Sequence, residues 1–97
     1  MQETFSHTDE LGYSHQEFFR AFGPAIENRP YTYENRRVSF DYEGGRITIE
    51  LSEQQVRRIA SIELPYLFAT FRFYDLNETQ RQAFTTRFNL YFQRGGG

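Results

Sequence analysis

Val38-Ser39-Phe40-Asp41-Tyr42-Glu43-Gly44-Gly45-Arg46-Ile47-Thr48-Ile49-Glu50-Leu51 is the most regular stretch of this sequence. Apolar and polar residues alternate on both sides of the glycine pair, which is the period of a half-buried strand. A two-residue loop at Gly44-Gly45 pairs Tyr42 with Ile47, Phe40 with Ile49 and Val38 with Leu51, and sets Glu43 opposite Arg46. All six apolar side chains then share one face. Two glycines suit the positive φ angles of a type I′ turn. A slip of one residue would divide the apolar set between the faces, so the facing is well specified.

Before the hairpin, Ser14-His15-Gln16-Glu17 has the form of a capping box, with Tyr13 and Phe18 placed as a hydrophobic staple. Phe18, Phe19 and Phe22 share a helical face, and Gly23-Pro24 supplies a stop, so a helix is predicted over 15–22, with room for a further helical turn over Pro24 to Asn28 before Arg29-Pro30 ends it. After the hairpin, Ser52 with Gln55 predicts a second, short helix ending near Ser61, with Val56, Ile59 and Ala60 facing inward and Glu53 paired to Arg57. Leu67 to Tyr74 reads as a strand, with Leu67, Ala69, Phe71 and Phe73 on one face and Phe68, Thr70, Arg72 and Tyr74 on the other. Asn77 with Gln80 caps a last helix over 78–93, in which Phe84, Phe88, Tyr91 and Phe92 recur at helical spacing.

The expected architecture is a single α+β domain over 14–94, in the order α-β-β-α-β-α, with helices packed on a three-stranded sheet. Residues 1–13 read as a loose lead-in and 95–97 as a flexible glycine tail. If 86–93 were a strand instead, hairpin, helix and two strands would resemble a β-grasp, or ubiquitin-like, domain. Arg94-Gly95-Gly96-Gly97 also resembles the di-glycine tail of ubiquitin-like and sulfur-carrier proteins. That resemblance covers only these residues, and it implies a carrier function.

The composition narrows the function classes. The chain has 97 residues and no cysteine. Disulfides, thiolate metal sites and cysteine nucleophiles are therefore excluded, and a reducing cytoplasm is the expected compartment. No apolar run approaches the roughly 20 residues of a membrane helix, and Met1 to Glu10 is polar and acidic, unlike a targeting peptide. All 11 basic residues are arginine, against 13 acidic ones. Lysine-based phosphate loops and Schiff-base chemistry are thus excluded, and the usage fits a GC-rich, bacterial coding bias. A net charge of −2 is no footprint for non-specific nucleic-acid binding. Eleven Phe and seven Tyr must supply most of the core, and eighteen rings exceed what one small core takes.

His7, Asp9, Glu10, His15 and Glu17 lie close in sequence but at no established metal spacing, so no metal and no cofactor are expected. No pair of carboxylates and no Ser-His-Asp set stands out as catalytic, and the chain is not expected to be an enzyme. The candidate binding residues are Tyr31, Tyr33, Arg36, Arg37, Phe68, Arg72 and Tyr74, because aromatic side chains and arginine anchor interfaces. The strand Ala69–Tyr74 is similar to the aromatic-basic strand of an RNA-recognition sheet, though the element order departs from that fold. The expectation is a small non-catalytic protein-binding or assembly domain, whose partner is another protein or a second copy and not a membrane. The alternative is an accessory nucleic-acid or phosphate-ligand binder. A small enzyme or a ubiquitin-like carrier ranks below both.

Overall fold

The computed structural model describes residues 1–92. In chain order the elements are β1 (Glu3–Leu11), α1 (His15–Ala25), β2 (Thr32–Glu34), β3 (Arg37–Tyr42), β4 (Gly45–Leu51), β5 (Gln55–Ile59), β6 (Ile62–Tyr74) and α2 (Glu78–Tyr91). All strand pairings are antiparallel, in the order β1-β6-β4-β3-β2, and β5 pairs with the first part of β6. The chain is therefore a single α+β domain, but its sheet has six strands where three were expected, and the order is β-α-β-β-β-β-β-α.

The central hairpin forms with the expected facing and a different turn. Glu43 and Gly44, both at positive φ (46° and 84°), are the two turn residues. Gly45 begins β4 opposite Tyr42, so Phe40 pairs with Ile47, Val38 with Ile49 and Asp41 with Arg46. The register differs from the sequence reading by two residues, which leaves every side chain on its expected face. The cause lies across the sheet: a Cβ on Gly45 would stand 2.2 Å from the Tyr74 carbonyl oxygen. This glycine is needed for close approach and is not free to serve as a turn residue.

Both helices lie on one face of the sheet. Phe40 touches Phe22 of α1 and Phe84 of α2, with ring centroids 5.8 and 6.0 Å apart. Phe84 and Phe88 pack on Phe71 at 6.2 and 5.0 Å. Val38, Ile47, Ile49, Leu51, Leu67, Ala69 and Phe73 complete the buried layer. The capping boxes at Ser14/Glu17 and Asn77/Gln80 are both formed. Helix α1 runs past the expected stop at Gly23-Pro24, because burying Ala25 and Ile26 offsets the hydrogen bond that Pro24 cannot make. It ends where Glu27 and Asn28 turn left-handed. Helix α2 is helical through Tyr91, so the β-grasp alternative for 86–93 does not arise. The tail at 95–97 lies outside the described residues.

Three strands go beyond the expected three, the shortest being β2, which pairs Tyr33 with Val38 at the edge of the sheet. Residues 3–11, expected as a loose lead-in, form edge strand β1 along β6. An edge strand is held by its ladder on one side, so it need not be apolar; here the Thr8 and Thr70 hydroxyls, 2.9 Å apart, add to the backbone pairing. The expected helix over 52–61 is instead the turn after β4 and strand β5. So short a segment would have been marginal as a helix. The first five residues of β6 extend past β4 and β1, and β5 pairs with them along one edge.

Candidate functional site

Strand β5 and residues Ile62–Tyr66 of β6 make a two-stranded arm that projects beyond both helices. Every residue from Glu53 to Leu64 is exposed. Val56 and Ile59, expected to face inward, are exposed, and with Ile62, Leu64 and Phe68 they keep 40–57 % of their surface open. The arm closes at Ala60-Ser61, with Ala60 at φ 54°. Register pairs Ile59 with Ile62, Arg57 with Leu64 and Gln55 with Tyr66. Cross-strand partners share a face, and alternate residues along β6 do too. Ile59, Ile62, Leu64, Tyr66 and Phe68 therefore form one apolar row, with Val56 and Pro65 on the reverse.

The root of the arm is fastened to the domain. The Ser52 amide donates to the Phe68 carbonyl at 2.9 Å, and the Phe68 amide donates to Ser52 Oγ at 2.9 Å. The His15 amide donates to Gln54 Oε1 at 2.9 Å. His15 Nε2 lies 2.9 Å from the Ser52 carbonyl oxygen, which can only accept, so Nε2 carries the proton. The charges of the arm are matched within the chain. Arg57 pairs with Glu10 at 2.9 Å and lies over the Tyr66 ring, 4.5 Å from its centroid. Arg58 pairs with Glu63. The Glu10 partner holds the Arg57 pKa above its ordinary value. The expected Glu53–Arg57 pair belongs to a helix that is not there.

The arm continues into the sheet face that carries no helix. This open face presents Ser6, Thr8 and Glu10 of β1, Phe68, Thr70, Arg72 and Tyr74 of β6, Arg46, Thr48 and Glu50 of β4, and Arg37, Ser39 and Asp41 of β3, as the registers require. Its centre is a shared ion pair. Arg37 donates to Glu50 Oε2 from Nε at 3.2 Å and from Nη2 at 2.8 Å. Arg72 donates to Glu50 Oε1 at 3.2 Å and reaches Glu3 at 3.4 Å. The hydrogen bond from Arg37, with those from Arg72, lowers the Glu50 pKa against an opposing effect of burial. Hydrogen bonding to Glu50 in turn raises that of Arg72. Arg46 pairs with Asp41 at 3.0 Å. These neighbours close over Thr48, leaving it 8 % exposed.

Of the candidate residues read from sequence, Arg37, Phe68, Arg72 and Tyr74 share this open face. Tyr31 and Tyr33 do not join them. They pack toward α1, with Tyr33 4.6 Å from Phe19 and Tyr31 5.1 Å from Phe22. Arg36 occupies the β2–β3 turn at φ 60° and donates to the Leu51 carbonyl at 3.2 Å. Sequence reasoning missed Val56, Ile59, Ile62 and Leu64 as surface residues. Their signal was the alternation that continues upstream of Pro65 from the strand at 67–74.

A second feature is a cleft of about 230 Å³ between β1 and α2, lined by Phe5, His7, Phe73, Glu78, Arg81, Gln82 and Thr85. His7 stacks on Phe71 at 4.9 Å and lies 3.4 Å from Asp9. Arg81 stands over the Phe5 ring at 4.8 Å and donates to the Leu76 carbonyl at 3.1 Å. His15 is committed to the arm root, so the two histidines of the sequence are not brought to one site. Among the described residues, no three His, Asp or Glu side chains are grouped to hold a metal ion. Among the same residues, no helix is long and apolar enough to cross a membrane. Compared with known protein families, with curated proteins and with solved structures, the chain matches none.

Proposed function

We propose that this chain is a small protein-binding or assembly domain that performs no chemistry of its own and docks through the projecting arm and the open face at its root. The observation that carries this reading is the arm itself. A two-stranded ribbon is marginal in water unless its apolar side chains are covered. Here a row about 20 Å long from Ile62 to Phe68 at the strand rise leaves Ile59, Ile62, Leu64 and Phe68 exposed and Tyr66 half-buried under Arg57, while its root is pinned by Ser52 and His15. A contiguous exposed patch of that kind marks an interaction surface. A phosphate-binding role draws less support, because Arg37, Arg46, Arg57, Arg58 and Arg72 already hold carboxylates. A phosphate would have to displace them.

Photo-crosslinking in native cells tests the reading. Leu64 is replaced by p-benzoylphenylalanine, and Gln82 on exposed α2 serves as the control position. Irradiation should give a defined higher-mass adduct from position 64 and none from 82. Absence of any adduct from the arm would sink the proposal.

A further inference from the structure

We infer that the occupant of the arm is a second copy of this chain, joined face to face through the row Ile59, Ile62, Leu64, Tyr66 and Phe68 about a two-fold axis. The inference rests on the docking role proposed for the arm.

A two-fold interface sets one patch against itself, so the patch must match its own reversal. This row does. Turned end for end, Ile62 with its cross-strand neighbour Ile59 meets Phe68 of the other copy, and Leu64 meets Tyr66. The row is apolar at each of these positions, and Arg57 and Gln55 flank it on the same face, opposite Leu64 and Tyr66. The charges satisfy the same condition. Arg57, on the contact face, is held by Glu10 and flattened on the Tyr66 ring, and Arg58 on the reverse is held by Glu63, so each copy brings its arm charges already paired. A strongly acidic or basic partner would find no free counter-charge there, whereas an identical neutral patch meets no like-charge repulsion.

The mode we infer is face packing, and the β6 edge of the arm disfavours extension of the sheet. A two-residue loop closes on a hydrogen-bonded pair, here Ile59 and Ile62, and such pairs alternate with non-bonded ones along the ladder. Pro65, opposite Val56, falls on a non-bonded pair, so its nitrogen faces the outer edge of β6. That edge lacks the donor that an added strand would need. The outer edge of β5 keeps its donors, so face packing is favoured by the exposed apolar row alone. A standard interface buries roughly 800 Å² per partner. The arm row supplies its apolar centre, and the adjoining open face at Thr8, Glu10 and Thr70 supplies a polar rim.

Sedimentation equilibrium of the purified chain at about 1–200 μM tests this, together with Leu64→Asp, Ile62→Asp and Val56→Asp. The first two place a carboxylate in the proposed contact; the third places one on the reverse of the same arm. The wild-type chain should be dimeric. Leu64→Asp and Ile62→Asp should each weaken association at least ~30-fold, the effect of losing an interface anchor, and Val56→Asp should leave it nearly unchanged. All four should share one far-UV circular dichroism spectrum, since these positions are exposed. A monomeric wild-type chain at 200 μM would overturn the second-copy inference. So would a dimer that survives both row substitutions. The mass of the crosslinked adduct separates the two levels. An adduct of twice the chain mass supports both, an adduct with a different protein keeps the docking role and discards the second copy, and no adduct discards both.

Discussion

Gly45 and Tyr74 are in contact across the β4–β6 boundary so closely that a methyl group on Gly45 would lie 2.2 Å from the Tyr74 carbonyl oxygen. The same methyl would meet the Leu76 side chain at 2.7 Å. Gly44, one residue earlier, has φ 84° and open space around it. The two glycines are therefore required for different reasons. Gly45→Ala should cost about 3 kcal/mol, because a backbone carbonyl cannot move aside as a side chain can. Gly44→Ala should cost about 1 kcal/mol from its left-handed backbone alone. Urea midpoints of the two variants measure the difference, and equal losses would contradict this assignment.

Glu50 sits between Arg37 and Arg72, and their hydrogen bonds depress its pKa. A depressed carboxylate contributes stability that is complete above its unfolded pKa and is lost as pH falls through its folded one. Glu50→Gln should therefore lower the urea midpoint at pH 7, and the gap from wild type should shrink by pH 3. A gap that stays constant between those pH values would show that the ion pairs add nothing to folding.

Tyr42 is half-buried against Phe84, with Arg29 over its ring at 4.6 Å. Burial raises its pKa more than the Arg29 charge lowers it. In an alkaline titration followed by tyrosinate absorbance, a late component should ionise above the ordinary phenol value of 10.0. Tyr42→Phe should remove that late component. If the late component persists in the variant, another tyrosine is responsible.

Arg87 of α2 donates to the Pro24 carbonyl at 2.9 Å and to the Ala25 carbonyl at 3.1 Å. One helix thereby caps the C-terminal end of the other, where free carbonyls and the helix dipole favour a cation. Arg87→Ala should cost about 1–2 kcal/mol in thermal or urea unfolding. Arg87→Lys should recover only part of this, because an ammonium lacks the fork that spans two carbonyls. Full recovery by lysine would point to charge alone.

The parts of the fold that were legible in the sequence are those whose signals are local. Ser14 with Glu17 and Asn77 with Gln80 announced both helix starts through a spacing of three residues. The alternation from Val38 to Leu51 announced the buried face, although not the turn, because Gly45 answers to Tyr74 and Leu76, far away in sequence. β1 was illegible for a physical reason: an edge strand draws its stability from the β6 backbone, and Glu3, Ser6, Thr8, Asp9 and Glu10 leave no alternation to detect. β5 was misread because Ser52 and Gln55 imitate a capping box, and because its turn uses Ala60 at φ 54° without glycine or asparagine to mark it. Of the candidate site, Phe68, Arg72 and Tyr74 were placed together by strand parity, and Arg37 joins them through the β3–β4 and β4–β6 registers. The row on the arm was hidden by the same helix reading that turned Val56 and Ile59 inward.

β6 is paired with β1 and β4 along its second half, and its β1 partners lie some sixty to seventy residues away in sequence. During synthesis at roughly 5–20 residues per second, several seconds separate the emergence of β1 from that of the strand that holds it. In that interval the β3–β4 hairpin can close, but Val38, Phe40, Ile47 and Ile49 have neither Phe71 and Phe73 nor α2 to pack against. The sheet cannot be assembled from one end to the other. It is completed from the middle by β6, which is made after all its partner strands, so a nascent chain stalled before Leu67 would hold β1 unpaired and would be the species most exposed to chaperones and proteases.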